Sequence, residues 1–113
     1  MYNSVILIGR AVDQPTLKIL DSGVNVGHIT LAVSKPYKNV DGGVDVDYIN
    51  CVMWNSVATS AYEYVKKGTL VCVKAILCTK TEVFNCVNDN GEPYQKKIKG
   101  FDINVERIIY LSY

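Results

Sequence analysis

A change of hydrophobic period after Trp54 limits the folds that this chain can adopt. Before Trp54, apolar residues alternate with polar ones or run together over short stretches, as they do in β-strands; after it, they follow the spacing of a helix. Strand patterns then return for the rest of the sequence. The predicted strands cover residues 5–8, 24–33, 47–54, 69–81 and 101–111, with the helix between the third and the fourth.

Turn and end signals complete this outline. Asn55 or Ser56 can cap the start of the helix, and the Lys-Lys-Gly run at 66–68 ends it. Gly27 predicts a bulge or sharp bend in the second strand, and NDNGE predicts the turn of a hairpin arm between the last two. We expect one domain over residues 1–113. The order fits the all-β OB-fold, a five-stranded Greek-key barrel with one short helix between strands 3 and 4.

The third predicted strand, DYINCVMW, has two different faces. Successive side chains of a strand point to opposite sides, so alternate residues share a face. One face consists of Tyr48, Asn50, Val52 and Trp54, and the other of Ile49, Cys51 and Met53. The second set is typical of a core. The first places two large aromatic rings around an amide, which predicts a surface on which a ligand stacks.

Charge and cysteine content narrow the possible functions. Twelve Lys and Arg against eleven Asp and Glu give a formal charge of +1, so an anionic partner requires a local basic patch. The four cysteines include no C-x-x-C pair, and His28 lies far from them in sequence, so we expect buried free thiols and no metal site. No segment resembles a signal peptide or a membrane span, which predicts a cytoplasmic protein that does not associate with membranes.

Catalytic motifs are also missing from the sequence. It contains no nucleophile elbow and no phosphate-binding glycine loop, and we expect neither enzymatic activity nor a cofactor. The strongest enzymatic alternative is a metal-dependent nuclease that uses Asp45 and Asp47, two carboxylates on one strand face. Acidic residues that follow a double-glycine turn are more often simply solvated.

Aromatic and basic residues are interleaved along the chain. The aromatic positions are Tyr37, Tyr48, Trp54, Phe84 and Tyr94, and nine lysines lie among them. Single-stranded nucleic acid binds to such mixtures, because unpaired bases stack on aromatic rings and lysines contact phosphates. Some of these rings could equally serve as core or rim residues.

Four segments together resemble the bacterial-type single-stranded DNA-binding proteins. They are VILIGR near the start, TLAV before the basic loop, DYINCVMW, and YVKKGTLV after the helix. The resemblance runs in order over nearly the whole chain. It implies sequence-independent binding of single-stranded DNA in replication, recombination or repair, no catalysis, and a homotetramer or homodimer. Residues 5–8, apolar on both faces, would supply part of the subunit interface.

The resemblance also implies roles for individual residues. Tyr37, Tyr48 and Trp54 match stacking aromatics, with Asn50 between the last two; Lys18, Lys35, Lys66, Lys67 and Lys80 fall at or near positions that are often basic. Arg10 matches the common GR pair and could equally be structural.

Several residues depart from the family pattern. Glu82 stands where an aromatic is usual, and Phe84, two residues on and on the same face, is the predicted replacement. Asn55 and Ser56 replace basic residues, which predicts weaker electrostatic binding near the helix start. The sequence ends at ERIIYLSY without the usual flexible linker and acidic tip, so we expect no recruitment of other proteins by such a tail. A phage, plasmid or other mobile element is one expected source.

Two further alternatives keep the same fold. In one, the aromatic face buries another protein, as in a primosome-like interaction module. In the other, the face binds single-stranded RNA, whose 2′-hydroxyl distinguishes it from DNA.

Overall fold

Residues 1–112, described by a computed structural model, form six strands and one helix. In chain order these are β1 (Val5–Ala11), β2 (Thr16–Ile19), β3 (Asn25–Lys38), β4 (Val44–Trp54), α1 (Asn55–Tyr64), β5 (Leu70–Val87) and β6 (Pro93–Ser112). The predicted OB-fold is confirmed. The short strand β2 was not predicted. The helix therefore follows the fourth observed strand, which is the third predicted one.

Five strands close into a barrel in the order β1-β5-β6-β4-β3 and back to β1. Long antiparallel ladders join most neighbours. Two seams are short: β1 meets β3 through Arg10–Ala32 and Ala11–Leu31, and the parallel strands β4 and β6 meet through Cys51–Ile103 and Val52–Asn104. This closed, mixed arrangement is that of the Greek-key OB barrel.

The barrel interior is filled by side chains from every wall. Ile29, Leu31, Met53, Val71 and Val73 are fully or almost fully buried. Each such side chain stabilises the fold by about 1.5–3 kcal/mol relative to an exposed one. The helix covers one end of the barrel with two small buried residues, Ala58 and Ala61, which let it approach the strands closely.

Gly27 has a different role from the one predicted. Pairing is continuous through it, with Leu17 on one side and Met53 on the other, and the irregularity of β3 lies between Ser34 and Lys38. A Cβ at Gly27 would come within 2.9 Å of the Thr16 carbonyl oxygen and 3.2 Å of the Ala58 Cβ. Glycine is therefore required at this position because β2 and the helix pack directly against it.

The predicted helix ends were wrong. Trp54 occupies the N-cap position and no side chain caps the helix; Asn55 has a φ of +53°, a conformation that Asn tolerates better than most residues. The helix ends at Tyr64, before the lysines. Residues 66–68 form a turn in which the Gly68 amide donates to the Ala11 carbonyl at 2.8 Å, which ties the turn to β1.

Strands β5 and β6 extend beyond the barrel as a two-stranded arm, residues 79–101. Its ladder continues to the pair Val87–Pro93, so both strands are longer than predicted. The turn lies at NDNGE as predicted: the side chain of Asn88 accepts hydrogen bonds from the amides of Asn90 at 3.0 Å and Glu92 at 2.8 Å. Among residues 1–112, no helix or third strand packs against the arm, and both of its faces meet solvent over most of their length.

Candidate functional site

Strand β4 presents the two faces that its sequence predicts. Cys51 and Met53 are completely buried, and Ile49 packs against the same core. On the other face, Tyr48 is 68% exposed and Trp54 is 42% exposed. Two aromatic rings thus lie open to solvent on a strand whose opposite side is fixed in the barrel.

Neighbouring strands leave room above these rings. Tyr48 lies opposite Ala32, and directly paired residues of antiparallel strands share a face. Alanine is too small to cover the tyrosine ring. Asn50 lies opposite Thr30, whose hydroxyl donates a hydrogen bond to the Asn50 Oδ1. That bond leaves the amide group of Asn50 free to donate to a ligand.

A hydrogen bond fixes the orientation of Trp54. Its indole Nε1 donates to Oδ1 of Asn104 on β6 at 3.1 Å. Asn104 belongs to the short parallel seam between β4 and β6. The ring is therefore held by two strands, and its exposed part is positioned before any ligand arrives.

These residues line an open groove of about 820 Å³, called the aromatic groove below. Its lining comes from β3, β4, β5 and β6, with Leu20 from the turn between β2 and β3. Its lining includes His28, Tyr48, Asn50, Trp54, Leu77, Lys80, Glu82, Phe101 and Asp102. Rings, an amide and charged groups thus line one groove.

Lys80 is the one cation of the predicted set that lines the groove, and it is paired. Its Nζ lies 3.2 Å from Glu82 Oε1 and 3.2 Å from Asp102 Oδ1. The hydrogen bonds to Glu82 and then to Asp102 raise the pKa of Lys80 above its usual value. The ammonium is therefore always charged at neutral pH, but two carboxylates offset its field.

Tyr37 and Phe84 are exposed aromatic rings outside the groove. Tyr37 is 62% exposed near the end of β3, and the Nζ of Lys35 lies 6.0 Å from the centre of its ring. Lys35 also pairs with Asp47 at 2.7 Å, and this hydrogen bond raises the pKa of the lysine. Phe84 is 45% exposed on the arm, opposite Lys96.

The remaining predicted cations lie outside the lining of the aromatic groove. Lys18 on β2 lies opposite Val26 on β3, and Val26 lies opposite Trp54 on β4. Lys18 and Trp54 therefore share a face of the sheet, two strand spacings or about 10 Å apart. Lys66 and Lys67 lie in the turn after the helix. Arg10 donates from Nη1 to the Gly68 carbonyl at 3.0 Å, which favours the structural role for Arg10. Within residues 1–112, Lys18, Lys66 and Lys67 have no ion-pair partner.

Sequence reasoning missed Phe101 and His28. Phe101 lines the groove at the base of the arm and is 66% exposed. It alternates with Ile103 and Val105 of the core, so its pattern indicated burial; it is exposed because the arm leaves the barrel there. His28 lies opposite Val52 on the groove face, a position that the register of β3 and β4 could have indicated.

Other candidate chemistry is not assembled in the described part of the chain. Asp47 is paired with Lys35, and Asp45 Oδ1 accepts from Asn39 Nδ2 at 3.1 Å. Over residues 1–112, no group of three or more His, Cys, Asp or Glu side chains is arranged to hold a metal ion. In the same residues, no helix has the length and apolar character that a membrane crossing requires.

All four cysteines are free thiols, as predicted, but only Cys51 is buried. Burial raises the pKa of the Cys51 thiol to about 11. The other three are partly exposed because they lie on outward faces of β5, including the arm, which no second layer covers in the described part of the chain.

The fold and groove define the class: an OB barrel with an open aromatic face. The chain belongs to the single-strand binding protein family, whose model matches residues 2–99. Over 81 residues it is 38% identical to the single-stranded DNA-binding protein B of Bacillus subtilis. The matched region covers 72% of this chain and 72% of that relative.

Similar relatives include two longer proteins that are also named single-stranded DNA-binding protein. That of Halalkalibacterium halodurans is 40% identical over 81 residues, 72% of this chain and 48% of the relative. That of Enterococcus faecalis is 37% identical over 92 residues, 81% of this chain and 47% of the relative. The match thus spans about half the length of both.

Proposed function

We propose that this chain binds single-stranded DNA by stacking unpaired bases in the aromatic groove, and that it protects such strands during replication, recombination or repair. The observation that carries the proposal is the pair of exposed rings, Tyr48 and Trp54, on the outer face of a buried barrel strand. Each base stacked on an aromatic ring contributes about 1–3 kcal/mol, largely without reading sequence. In this proposal residues 1–113 act as one domain, in the cytoplasm, without catalysis or a cofactor.

Phosphate contacts are assigned to lysines around the groove. Lys18 shares the face of Trp54 and has no ion-pair partner among the described residues, so it is the first candidate. Lys66 and Lys67 are the next candidates, at the turn after the helix. Lys35 and Lys80 would contact phosphate only in competition with their carboxylate partners. Tyr37 and Phe84 extend the stacking surface beyond the groove.

The only tryptophan of the chain lies in the groove, so its fluorescence tests the proposal directly. Titration with oligo(dT) should quench Trp54 strongly. The affinity should fall by about 0.7 log units per log unit of salt for each phosphate contacted. An unchanged signal, together with no complex by gel shift at low salt, would refute DNA binding. Competition with an RNA oligomer of the same sequence tests the RNA alternative.

We further propose that the chain is a homo-oligomer, a homotetramer or a homodimer. Strand pairing places Ile8, Cys72 and Ile109 in one row on the outer face, and Ile6 lies beside them. Ile6 and Ile8 are 67% and 55% exposed, an unfavourable arrangement for an isolated subunit. Light scattering of the purified protein tests this: a monomer at all micromolar concentrations contradicts it, and Ile8→Glu should dissociate an oligomer.

A further inference from the structure

Two carboxylates share a single ammonium inside the aromatic groove. Lys80 Nζ contacts one oxygen of Glu82 and one oxygen of Asp102, both at 3.2 Å. The three groups together carry a charge of −1 at neutral pH. The side chains of Glu82 and Asp102 remain 51% and 34% exposed, and each carboxylate has about four lone-pair sites, so both of its oxygens can still accept hydrogen bonds from a ligand.

Carboxylates in a DNA-binding groove act differently on phosphates and on bases. They repel phosphate oxygens. They accept hydrogen bonds from base edges, and an ionised carboxylate can only accept. Guanine presents two adjacent donors, N1–H and the N2 amino group, which match the two oxygens of one carboxylate. Thymine presents a single N3–H between two carbonyl acceptors, which the carboxylate repels.

The rings and the carboxylates are close enough to act on one nucleotide. Trp54 is hydrogen-bonded to Asn104 at 3.1 Å, and Asp102 lies two residues before Asn104 on the same face of β6. Residues two apart on a strand are separated by about 7 Å. A base stacked on Trp54 therefore has its polar edge within reach of the Asp102 side chain. Phe101, the neighbour of Asp102, offers a second ring on the groove.

We propose that Glu82 and Asp102 give the aromatic groove a preference for guanine over thymine at one position of the bound strand. This inference rests on the proposed binding of single-stranded DNA. Stacking supplies the sequence-tolerant part of the affinity, and the carboxylates add selection at the position that lies beside them. Lys80 holds both carboxylates in place through its two contacts of 3.2 Å.

The test uses three fluorescein-labelled oligonucleotides of equal length: one of thymine only, one with isolated guanines at every third position, and one with hypoxanthine in place of each guanine. Hypoxanthine lacks only the N2 amino group of guanine. By fluorescence anisotropy, the guanine oligomer should bind about fivefold more tightly than the thymine oligomer, with hypoxanthine between them.

Substitutions connect the preference to the two carboxylates. Glu82→Gln and Asp102→Asn keep the size of each side chain but add a donor, so each should lower the ratio of guanine to thymine affinity towards one. Asp89→Asn is the matched control. It removes an exposed carboxylate at the turn of the arm, outside the groove, and should leave the ratio unchanged.

The outcomes separate this inference from the proposed function. Equal affinity of the unmodified protein for all three oligomers overturns the preference but leaves DNA binding intact. A uniform gain for all three oligomers in Glu82→Gln and Asp102→Asn also overturns it, because the carboxylates would then act only by repulsion. Failure to bind even the thymine oligomer would instead remove the proposed function.

Discussion

The barrel wall and the arm are both made of β-strands, but a core sets the directions of the side chains in the wall and not in the arm. In the barrel wall, β4 has one face in the core, so the direction of every side chain is set by burial of residues such as Met53. In the arm, both faces meet solvent, and no core fixes either one. A stacking surface built on the wall is rigid, whereas one built on the arm depends on the ligand.

The largest expected difference between the two regions is in stability. Met53→Ala should lower the free energy of unfolding by about 2–5 kcal/mol, because it leaves a cavity in the packed barrel. Val83→Ala, a truncation of an apolar side chain on the arm, should cost at most about 0.5 kcal/mol because Val83 is 52% exposed. Urea denaturation followed by circular dichroism measures both. Equal losses would show that the arm is packed as firmly as the wall.

A buried thiol in the barrel wall should also make stability depend on pH. Burial raises the pKa of the Cys51 thiol from an ordinary value of 9.0 to about 11. Above pH 9 the unfolded chain therefore releases this proton while the folded chain retains it. Stability should fall between pH 9 and 11, by at most about 2–3 kcal/mol from this group.

Cys51→Ala is the control for that pH effect. Other groups titrate in the same range, so the difference between the unfolding free energies of the two proteins is the quantity to follow from pH 8 to 11. The difference should change with pH as the thiol of the unfolded chain ionises. A constant difference would show that the Cys51 thiol does not contribute.

DNA affinity should depend more on the wall than on the arm. Trp54→Ala should weaken oligo(dT) binding by about 1–3 kcal/mol while leaving the fold intact, because it removes a positioned stacking ring. Tyr62→Ala removes a ring of similar exposure on the helix, outside the groove, and serves as the control. Anisotropy of a labelled oligomer measures both. Equal effects of the two changes would remove Trp54 from the site.

The smallest expected effect compares two rings of the arm itself. Phe101→Ala should weaken binding by about 1 kcal/mol, the lower end for a stacked base, because Phe101 lines the groove. Phe84→Ala, farther out on the arm, should cost less. The reverse order would support the sequence-based hypothesis that Phe84 replaces the aromatic missing at position 82.

The same contrast explains what could be predicted from sequence. The order of strands and helix was predictable from periodicity, and the faces of β4 were predictable because one of them is buried. Phe101 was missed because its alternation with Ile103 and Val105 continues past the point where the core ends. An alternating pattern predicts the exposed face of a strand only where the core covers the opposite face.

Local polar chemistry was predicted less well for a related reason. The contact of Lys80 with Asp102 depends on the pairing of β5 with β6, which brings residues 22 positions apart together. The prediction that Asn55 caps the helix was wrong, because Asn55 adopts a left-handed conformation instead of accepting hydrogen bonds from the first turn. Composition indicates which groups are available, but register decides which of them meet.

The short seam between β4 and β6 has a consequence for motion. Two residue pairs, Cys51–Ile103 and Val52–Asn104, join these strands, and the aromatic groove lies directly over them. Local opening of the barrel at this seam would therefore occur directly under the binding surface. A strand of DNA that contacts both β4 and β6 would hold the seam closed. Binding should then slow amide hydrogen exchange at the seam more than in the long β3–β4 ladder, so the bound strand would itself act as a part of the barrel wall.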